Sequence, residues 1–309
     1  MKTRSKAIER IISEGNGIAY RTNVSAKEYT SFRIGGSISI LAEPKNEAEL
    51  QCLINAAEQV DCPYYVFGNG SNLLIQDDPM DALFIRLGEI YSGYTIDGNV
   101  IETAAGTLLG AMARASVKAG LRGLEWAAGI PGSVGGGIAM NAGAYGGEMK
   151  QVLKSVRLLK NGAIFEHSVA DEDMGYRHSS FSFPDAIVLS GRFELEFDDG
   201  SAMELMKEYS QMRRNKQPLE LPSAGSTFKR PEGHFAAKLI EDAGLKGFRI
   251  GNAMVSEKHA GFIVNVGGAS CSDVITLIEM VQKRVLDEFD VKLEPEVRII
   301  TEKNLNEYQ

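Results

Sequence analysis

Eight of the nineteen residues from Gly129 to Gly147 are glycine, in the run Gly129-Ile-Pro-Gly-Ser-Val-Gly-Gly-Gly-Ile-Ala-Met-Asn-Ala-Gly-Ala-Tyr-Gly-Gly147. Glycine at this density lets a ligand approach backbone N–H groups closely, and an anionic group such as a pyrophosphate suits that surface. Pro131 stiffens the entry, and small residues continue through Ala139, Ala142 and Ala144. A second run of the same kind, Gly68-Asn-Gly-Ser-Asn-Leu-Leu74, follows the β-rich stretch Pro63-Tyr-Tyr-Val-Phe67. It is not a dinucleotide fingerprint of the G-x-G-x-x-G type, because Leu73 stands where the third glycine belongs. No Gly-Lys-Ser/Thr triplet occurs, which excludes a P-loop, and no Gly-x-Ser-x-Gly occurs, which argues against a serine hydrolase. His167, His178, His234 and His259 show no metal-ligand spacing. The chemistry these residues allow is the holding of a phosphate-bearing cofactor.

The bulk of the chain narrows its partners. A net charge of −8 argues against nucleic acid and against a membrane surface, while leaving room for a local basic pocket. No apolar run is long enough to span a bilayer, and Met1-Lys-Thr-Arg-Ser-Lys6 lacks the apolar core of a signal peptide. Cys52, Cys62 and Cys271 are odd in number and form no ligand spacing, as expected of thiols in a reducing cytoplasm. At 309 residues the chain is long enough for two or three domains, and a cytoplasmic monomer is expected.

The elements that must position the glycine runs are readable in outline. Ile8, Ile11 and Ile12 predict a short amphipathic helix over 6–14. Asn46 and Glu49 predict a capped helix with Leu50, Leu53, Ile54 and Ala57 on one face. Short strands are expected at 82–87 and 99–104, then a helix carrying Leu108, Leu109, Met112 and Val117. Asn161-Gly162 between the apolar runs 152–160 and 163–167 predicts a two-residue hairpin. A strand over 186–197 and a helix over 201–216, stopped by Pro218, come next. Beyond the polar loop 222–231, a helix is expected at 235–243 and a buried strand at 260–266. The clearest helix spans 272–289, with Val274, Leu277, Ile278, Val281, Val285 and Phe289 in register, and a final strand precedes Ile300.

Five motifs in this order resemble the UDP-N-acetylenolpyruvoylglucosamine reductase family. They are Gly68-Asn-Gly-Ser-Asn72, Gly129-Ile-Pro-Gly-Ser-Val-Gly-Gly136, Gly175-Tyr-Arg177, Ala224-Gly-Ser-Thr-Phe-Lys229 and Glu294-Pro-Glu-Val-Arg298. The resemblance runs from about residue 15 to residue 300 and implies a flavoenzyme that makes UDP-N-acetylmuramate for bacterial peptidoglycan. It implies an α+β FAD-binding fold of the vanillyl-alcohol-oxidase type with a C-terminal α/β substrate-binding domain. The expected division is 1–86 and 87–200 for the two FAD-binding subdomains and 201–309 for the substrate domain. Between Phe183 and Leu195 there is no room for the tyrosine-loop insertion of the longer family type, so the chain resembles the shorter one.

The resemblance also implies roles. Arg177 faces the substrate carboxylate, for which a permanently charged, forked guanidinium is suited. Glu296 lies near the developing enolate, and Glu294 competes for that role; Glu296 is preferred because it directly precedes the Val-Arg-Ile run. Ser226 matches the family proton donor. FAD is expected to be held non-covalently by Gly68, Asn69, Gly70, Ser71, Asn72 and Leu73, and by Pro131, Gly132, Ser133, Gly135 and Gly136. Arg33, Ala105, Gly106, Thr107, Asn141, Ala142 and Ile187 are expected to line the rest. Lys216, Lys229 and Arg230 are candidate pyrophosphate partners, with Tyr145 and His259 as further pocket residues. The partners are then UDP-N-acetylglucosamine enolpyruvate and NADPH, with no metal. Two rivals share the glycine loops: a flavin oxidase of the same superfamily, and a non-catalytic nucleotide-sugar or flavin binder. The binder has no use for Arg177, Ser226 and Glu296 together.

Overall fold

Four strands build the first sheet of the computed structural model, which describes residues 3–15 and 17–307. Their order is Ala19–Ser25, Ser37–Glu43, Met80–Arg86 and Tyr64–Phe67, the first pair antiparallel and the others parallel. Alternation along a strand splits its side chains between two faces. Ile40, Ala42, Leu83 and Ile85 meet Ile8 and Ile12 of the helix Thr3–Gly15 and Leu50 and Leu53 of the helix Glu47–Gln59. Leu41, Tyr65, Phe67, Ala82 and Phe84 form a separate core on the opposite face. Asn46 caps the second helix by accepting from Glu49 N–H at 2.9 Å. The Glu49 carboxylate accepts in turn from Lys45 N–H at 2.8 Å, one residue before the cap.

The second sheet is antiparallel, in the order Ala163–Ser168, Leu153–Lys160, Ile187–Glu194, Val100–Ala104 and Tyr94–Asp97. Asn161 and Gly162 join its first two strands with φ of 51° and 73°, the two left-handed residues that a primed hairpin turn requires. The helices Leu109–Lys118 and Val134–Ala139 share one core with this sheet. At Gly191 a Cβ would stand 2.8 Å from Ile138 Cδ1, so the missing side chain is what lets Val134–Ala139 approach the sheet. Leu108, expected on the buried face, is instead 48% exposed, because it stands at the cap position before the helix turns inward.

In the C-terminal part, the helices Ala236–Asp242 and Cys271–Phe289 pack on the antiparallel strands Arg249–Ile250, Ala253–Val255 and Ile263–Asn265. Val274, Leu277, Ile278, Val281 and Val285 are buried as the 3.6-residue period requires. The strand expected over 260–266 is confined to Ile263–Asn265. Residues 260–262 instead close a turn in which Phe262 N–H donates to His259 O, freeing Gly261 O to accept from Thr227 N–H. Phe32, Ile34 and Leu74 from the N-terminal region belong to the same core, so the two regions are packed together. The strand Arg298–Ile300 then pairs in parallel with Leu73–Ile75 and delivers Ile300 and Leu305 to the second core of the first sheet. Among the described residues no helix is long and apolar enough to cross a membrane.

Asp77 ties the N-terminal region to the long C-terminal helix. Its carboxylate accepts from Cys271 N–H at 2.8 Å and Ser272 N–H at 3.1 Å, two donors that the helix itself cannot satisfy. Ser270 caps a third, at Asp273 N–H. Asp77→Ala is expected to cost about 1–2 kcal/mol, the scale of a lost charged cap, while Asp78→Ala costs less than half of that. Urea unfolding followed by circular dichroism checks this; equal midpoints for the two variants contradict it.

Candidate active site

A cavity of about 1010 Å³ opens where these regions meet. One wall is the loop 68–72, between the strands Tyr64–Phe67 and Leu73–Ile75. Gly70 there has φ of 62°, and a Cβ on it would lie 2.0 Å from Tyr29 O. A Cβ on Gly68 would lie 2.0 Å from Ser133 Oγ, so the two glycine runs touch each other. Asn69 Nδ2 donates to Pro131 O at 2.5 Å and fastens them. Among the described residues, the N–H groups of Asn69, Gly70, Ser71 and Asn72 have no hydrogen-bond partner, yet all four residues line the cavity. A row of unsatisfied backbone donors held by close-packed glycines is an anion cradle. These residues fit the diphosphate of a dinucleotide cofactor.

The second wall is the centre of the long glycine run. Ser133 caps Val134–Ala139 by accepting from Gly136 N–H at 3.3 Å. Pro131, Gly132, Ser133, Gly136 and Ala142 line the cavity together with Arg33, Gly68 to Leu73 and Tyr145. Ala105, Gly135 and Ile187 line an adjoining recess of about 80 Å³. Gly135 is there to pack: its Cβ would meet Ala105 Cβ at 2.8 Å. Gly106, Thr107 and Asn141 line neither space. Gly106 packs against Gly88 O and Tyr91 O, and the Thr107 hydroxyl bonds to Gly93. Asn141 is fully buried and donates to Gly175 O and to Glu148, both at 2.9 Å, bracing the loop that carries Arg177.

Beside the cradle, three polar residues from distant parts of the sequence reach the same cavity. Arg177, at φ of 53°, places Nε 2.8 Å from Glu296 Oε1 and donates from Nη2 to Gly143 O at 3.1 Å. The Tyr176 ring lies under its guanidinium at 5.1 Å. Glu296 is held by backbone bonds on both sides: its N–H donates to Thr227 O at 2.8 Å, and its carbonyl accepts from Asn72 Nδ2 at 3.1 Å. Burial pushes its carboxyl above the ordinary carboxylate range, against the opposing pull of Arg177 and Lys229. Ser226 stands on the next loop, one residue before Thr227, with no hydrogen-bond partner for its hydroxyl among the described residues. Glu294 is mostly exposed and paired with Lys229 at 3.4 Å, so the two carboxylates of the Glu-Pro-Glu run part company.

The cations singled out by pattern lie outside the lining. Arg230 is stacked on Phe235 at 3.9 Å, Lys216 is exposed at a helix end, and His259 is turned to its own loop, accepting from Gly261 N–H. Burial pushes the His259 imidazole below its ordinary range. Lining residues without a motif to announce them include Trp126, Tyr209 and Arg213. The only available signal was the four-residue spacing of Tyr209 and Arg213, which puts both on one helix face. Among the described residues no cluster of His, Cys, Asp and Glu suits a metal ion.

Residues 38–166 match the FAD binding domain family, and residues 217–300 match the C-terminal domain of UDP-N-acetylenolpyruvoylglucosamine reductase. A protein of Clostridium novyi (strain NT) named UDP-N-acetylenolpyruvoylglucosamine reductase is 43% identical over 304 residues, 98% of each chain. One of the same name from Alkaliphilus oremlandii (strain OhILAs) is 45% identical over 278 residues, covering 89% of this chain and 91% of that one. The crystal structure of the reductase from Thermus caldophilus superposes with a TM-score of 0.78 at 36% identity, covering 92% of this chain and 99% of that one. The FAD-binding fold expected from the sequence is therefore present, with the reductase C-terminal domain after it. The chain is an FAD-dependent oxidoreductase and belongs to the UDP-N-acetylenolpyruvoylglucosamine reductase family.

Proposed function

We propose that the protein reduces UDP-N-acetylglucosamine enolpyruvate to UDP-N-acetylmuramate, a peptidoglycan precursor, with NADPH as the electron source. The observation that carries this reading is the Arg177–Glu296 pair beside Ser226, in the cavity that also holds the cradle. Bound FAD supplies the hydride chemistry that no side chain can. Reduction of an enol ether conjugated to a carboxylate then asks two things of the protein. Negative charge developing on the carboxylate side needs stabilising, and the carbon next to the carboxylate needs a proton. Arg177 meets the first by binding the carboxylate through its fork, in a site where partial burial strengthens the attraction. Glu296, whose carboxyl keeps its proton to higher pH than usual, donates a hydrogen bond there instead of repelling the charge. Ser226 gives its hydroxyl proton to the carbon.

The cradle is tested by a pair of substitutions. A Cβ on Gly136 meets only Ser133 Oγ, at 3.4 Å, while the residue lines the cavity; a Cβ on Gly135 meets Ala105 at 2.8 Å. Gly136→Val is expected to fold and to purify colourless, whereas Gly135→Val loses stability first. Full flavin content in Gly136→Val sinks the placement of the cofactor.

Ser226→Ala is expected to let NADPH bleach the flavin within a few-fold of the wild-type rate. Return of colour on adding the enolpyruvyl sugar is expected to slow by about a hundredfold, the usual scale of lost general-acid help. Ser226→Cys recovers part of it. Stopped-flow absorbance separates the two steps, and a near-normal return of colour in Ser226→Ala removes the proton-donor role.

Glu296 also leaves a mark on stability. Its carboxyl is raised on folding, so the stability it contributes is complete below the ordinary carboxylate range and is lost as pH rises through the raised value. Glu296→Gln has no such loss. Its melting temperature is expected to gain on wild type as pH rises from about pH 4, the ordinary carboxylate value, through the raised one. A difference that stays constant with pH shows that Glu296 ionises normally.

A further inference from the structure

Arg177 stands at the tip of a hairpin too short to hold its own shape. The strands, Met174–Gly175 and His178–Ser179, are two residues each, and even a longer two-stranded ribbon is marginal by itself. Tyr176 and Arg177 make the turn, and of the two only Arg177 is left-handed, at φ of 53°. In the Asn161-Gly162 turn both residues are left-handed, the form that matches the twist of the flanking strands; the Tyr176-Arg177 turn lacks that match. A left-handed arginine is strained and persists only where its surroundings over-determine it. The hold therefore comes from outside the hairpin. Asn141 Nδ2 donates to Gly175 O, and Ser179 Oγ donates to Ala139 O, both at 2.9 Å.

At the base of the hairpin the hold is Asp173, whose side chain is 14% exposed. Its Oδ1 accepts from Ser180 Oγ at 2.9 Å, on the returning arm. Its Oδ2 accepts from Ala170 N–H at 2.9 Å and meets His167 Nε2 at 2.8 Å. An ionised carboxylate only accepts, so His167 is the donor in that contact. Burial pushes the Asp173 carboxyl up, but the bonds from Ala170, His167 and Ser180 outweigh it and hold the group below the ordinary carboxylate range. His167 belongs to the edge strand Ala163–Ser168, and its ring packs edge-on against the buried Phe181 at 5.4 Å. One carboxylate thus joins the second sheet, the segment that leaves it and the returning arm of the hairpin. We propose that Asp173 is a positioning residue for the reduction, fixing the base of the hairpin so that its tip holds the Arg177 guanidinium on the substrate carboxylate. This rests on the functional reading above and deepens it. Asp173, His167 and Ser180 line neither the cavity nor the adjoining recess, so their effect on the chemistry passes through Arg177. The tip stands about 7 Å beyond the base, the length of two strand residues. A displacement of about 1 Å at a group that must meet the reacting atoms can cost about a hundredfold in rate.

A residue that acts through another loses its effect once that other is changed, and this separates positioning from a merely structural role. Stopped-flow absorbance of the flavin is followed on holoenzyme for wild type, Asp173→Ala, Asp173→Asn, Arg177→Lys and the Asp173→Ala/Arg177→Lys double variant. Flavin content is measured on each. Asp173→Ala is expected to keep its flavin and to be bleached by NADPH within a few-fold of the wild-type rate. Its maximal rate of colour return with the enolpyruvyl sugar is expected to fall by about tenfold or more. Asp173→Asn, which keeps an acceptor at the same place, recovers most of that loss. In the Arg177→Lys background, where the fork is already gone, Asp173→Ala is expected to slow colour return by less than about twofold. Asp171→Ala, a change at an exposed neighbour, is expected to match wild type throughout. If Asp173→Ala does not fold, His167→Ala opens the same contact from the sheet side and is expected to show a few-fold loss that also vanishes in Arg177→Lys. Colour return at the wild-type rate in Asp173→Ala, or in His167→Ala where that stands in, overturns the proposal. An equal loss in both Arg177 backgrounds overturns it too. Wild-type holoenzyme whose bleached flavin the sugar does not recolour overturns the functional reading itself.

Discussion

The parallel pairing of Arg298–Ile300 with Leu73–Ile75 is the constraint on which the site depends. It brings a C-terminal strand back beside the loop that follows the first sheet, and it makes Asn72 and Glu296 neighbours. Arg298 N–H donates to Asn72 O at 3.0 Å, while Asn72 Nδ2 donates to Glu296 O. The same segment bonds sideways to the Ser226 loop through Glu296 N–H and Thr227 O, and through Lys229 N–H and Glu294 O. A slip of one residue would turn Glu296 away from Arg177 and put a neighbour in its place. The register is secured by burial: Leu74 and Ile75 on one strand and Ile300 on the other are 1% exposed or less.

The electrostatics follow from that placement. Arg177 and Glu296 face each other at 22% and 15% side-chain exposure, a setting where a charge is worth more than in water and also costs more to leave alone. Burial and the guanidinium pull the Glu296 carboxyl in opposite directions, and burial is the stronger. The outcome is an arginine with a weakened counter-ion. The cradle offers backbone donors without side-chain charge, so the two parts of the cavity suit anions by different means.

Some of this was legible in the residues. Asn161-Gly162, the period of the helix Cys271–Phe289 and the capping pair at Asn46 are local signals, and each formed the element it announces. The glycine runs were legible as a cradle because close backbone approach demands glycine, but which glycine faces the cavity was not. Gly135 and Gly136 are adjacent and alike in sequence; only the packing of Ala105 separates them. Asn141 stands in the glycine run yet works as a brace for Gly175, a contact 34 residues away that no spacing reveals. Arg213 and Tyr209 were hidden for the opposite reason. The helix that carries them buries only Ala202 and reads as a solvated surface element, so two residues of the cavity wall look like ordinary exposed ones.

The central claim is that one cavity holds FAD in its cradle and reduces an enolpyruvyl sugar beside Arg177, Glu296 and Ser226. It is tested most directly by following the visible spectrum of the purified protein without oxygen. The account predicts a yellow protein whose colour NADPH removes and UDP-N-acetylglucosamine enolpyruvate restores, with one UDP-N-acetylmuramate formed per flavin. A flavin that stays bleached after addition of that sugar, and regains its colour only with oxygen, would contradict it.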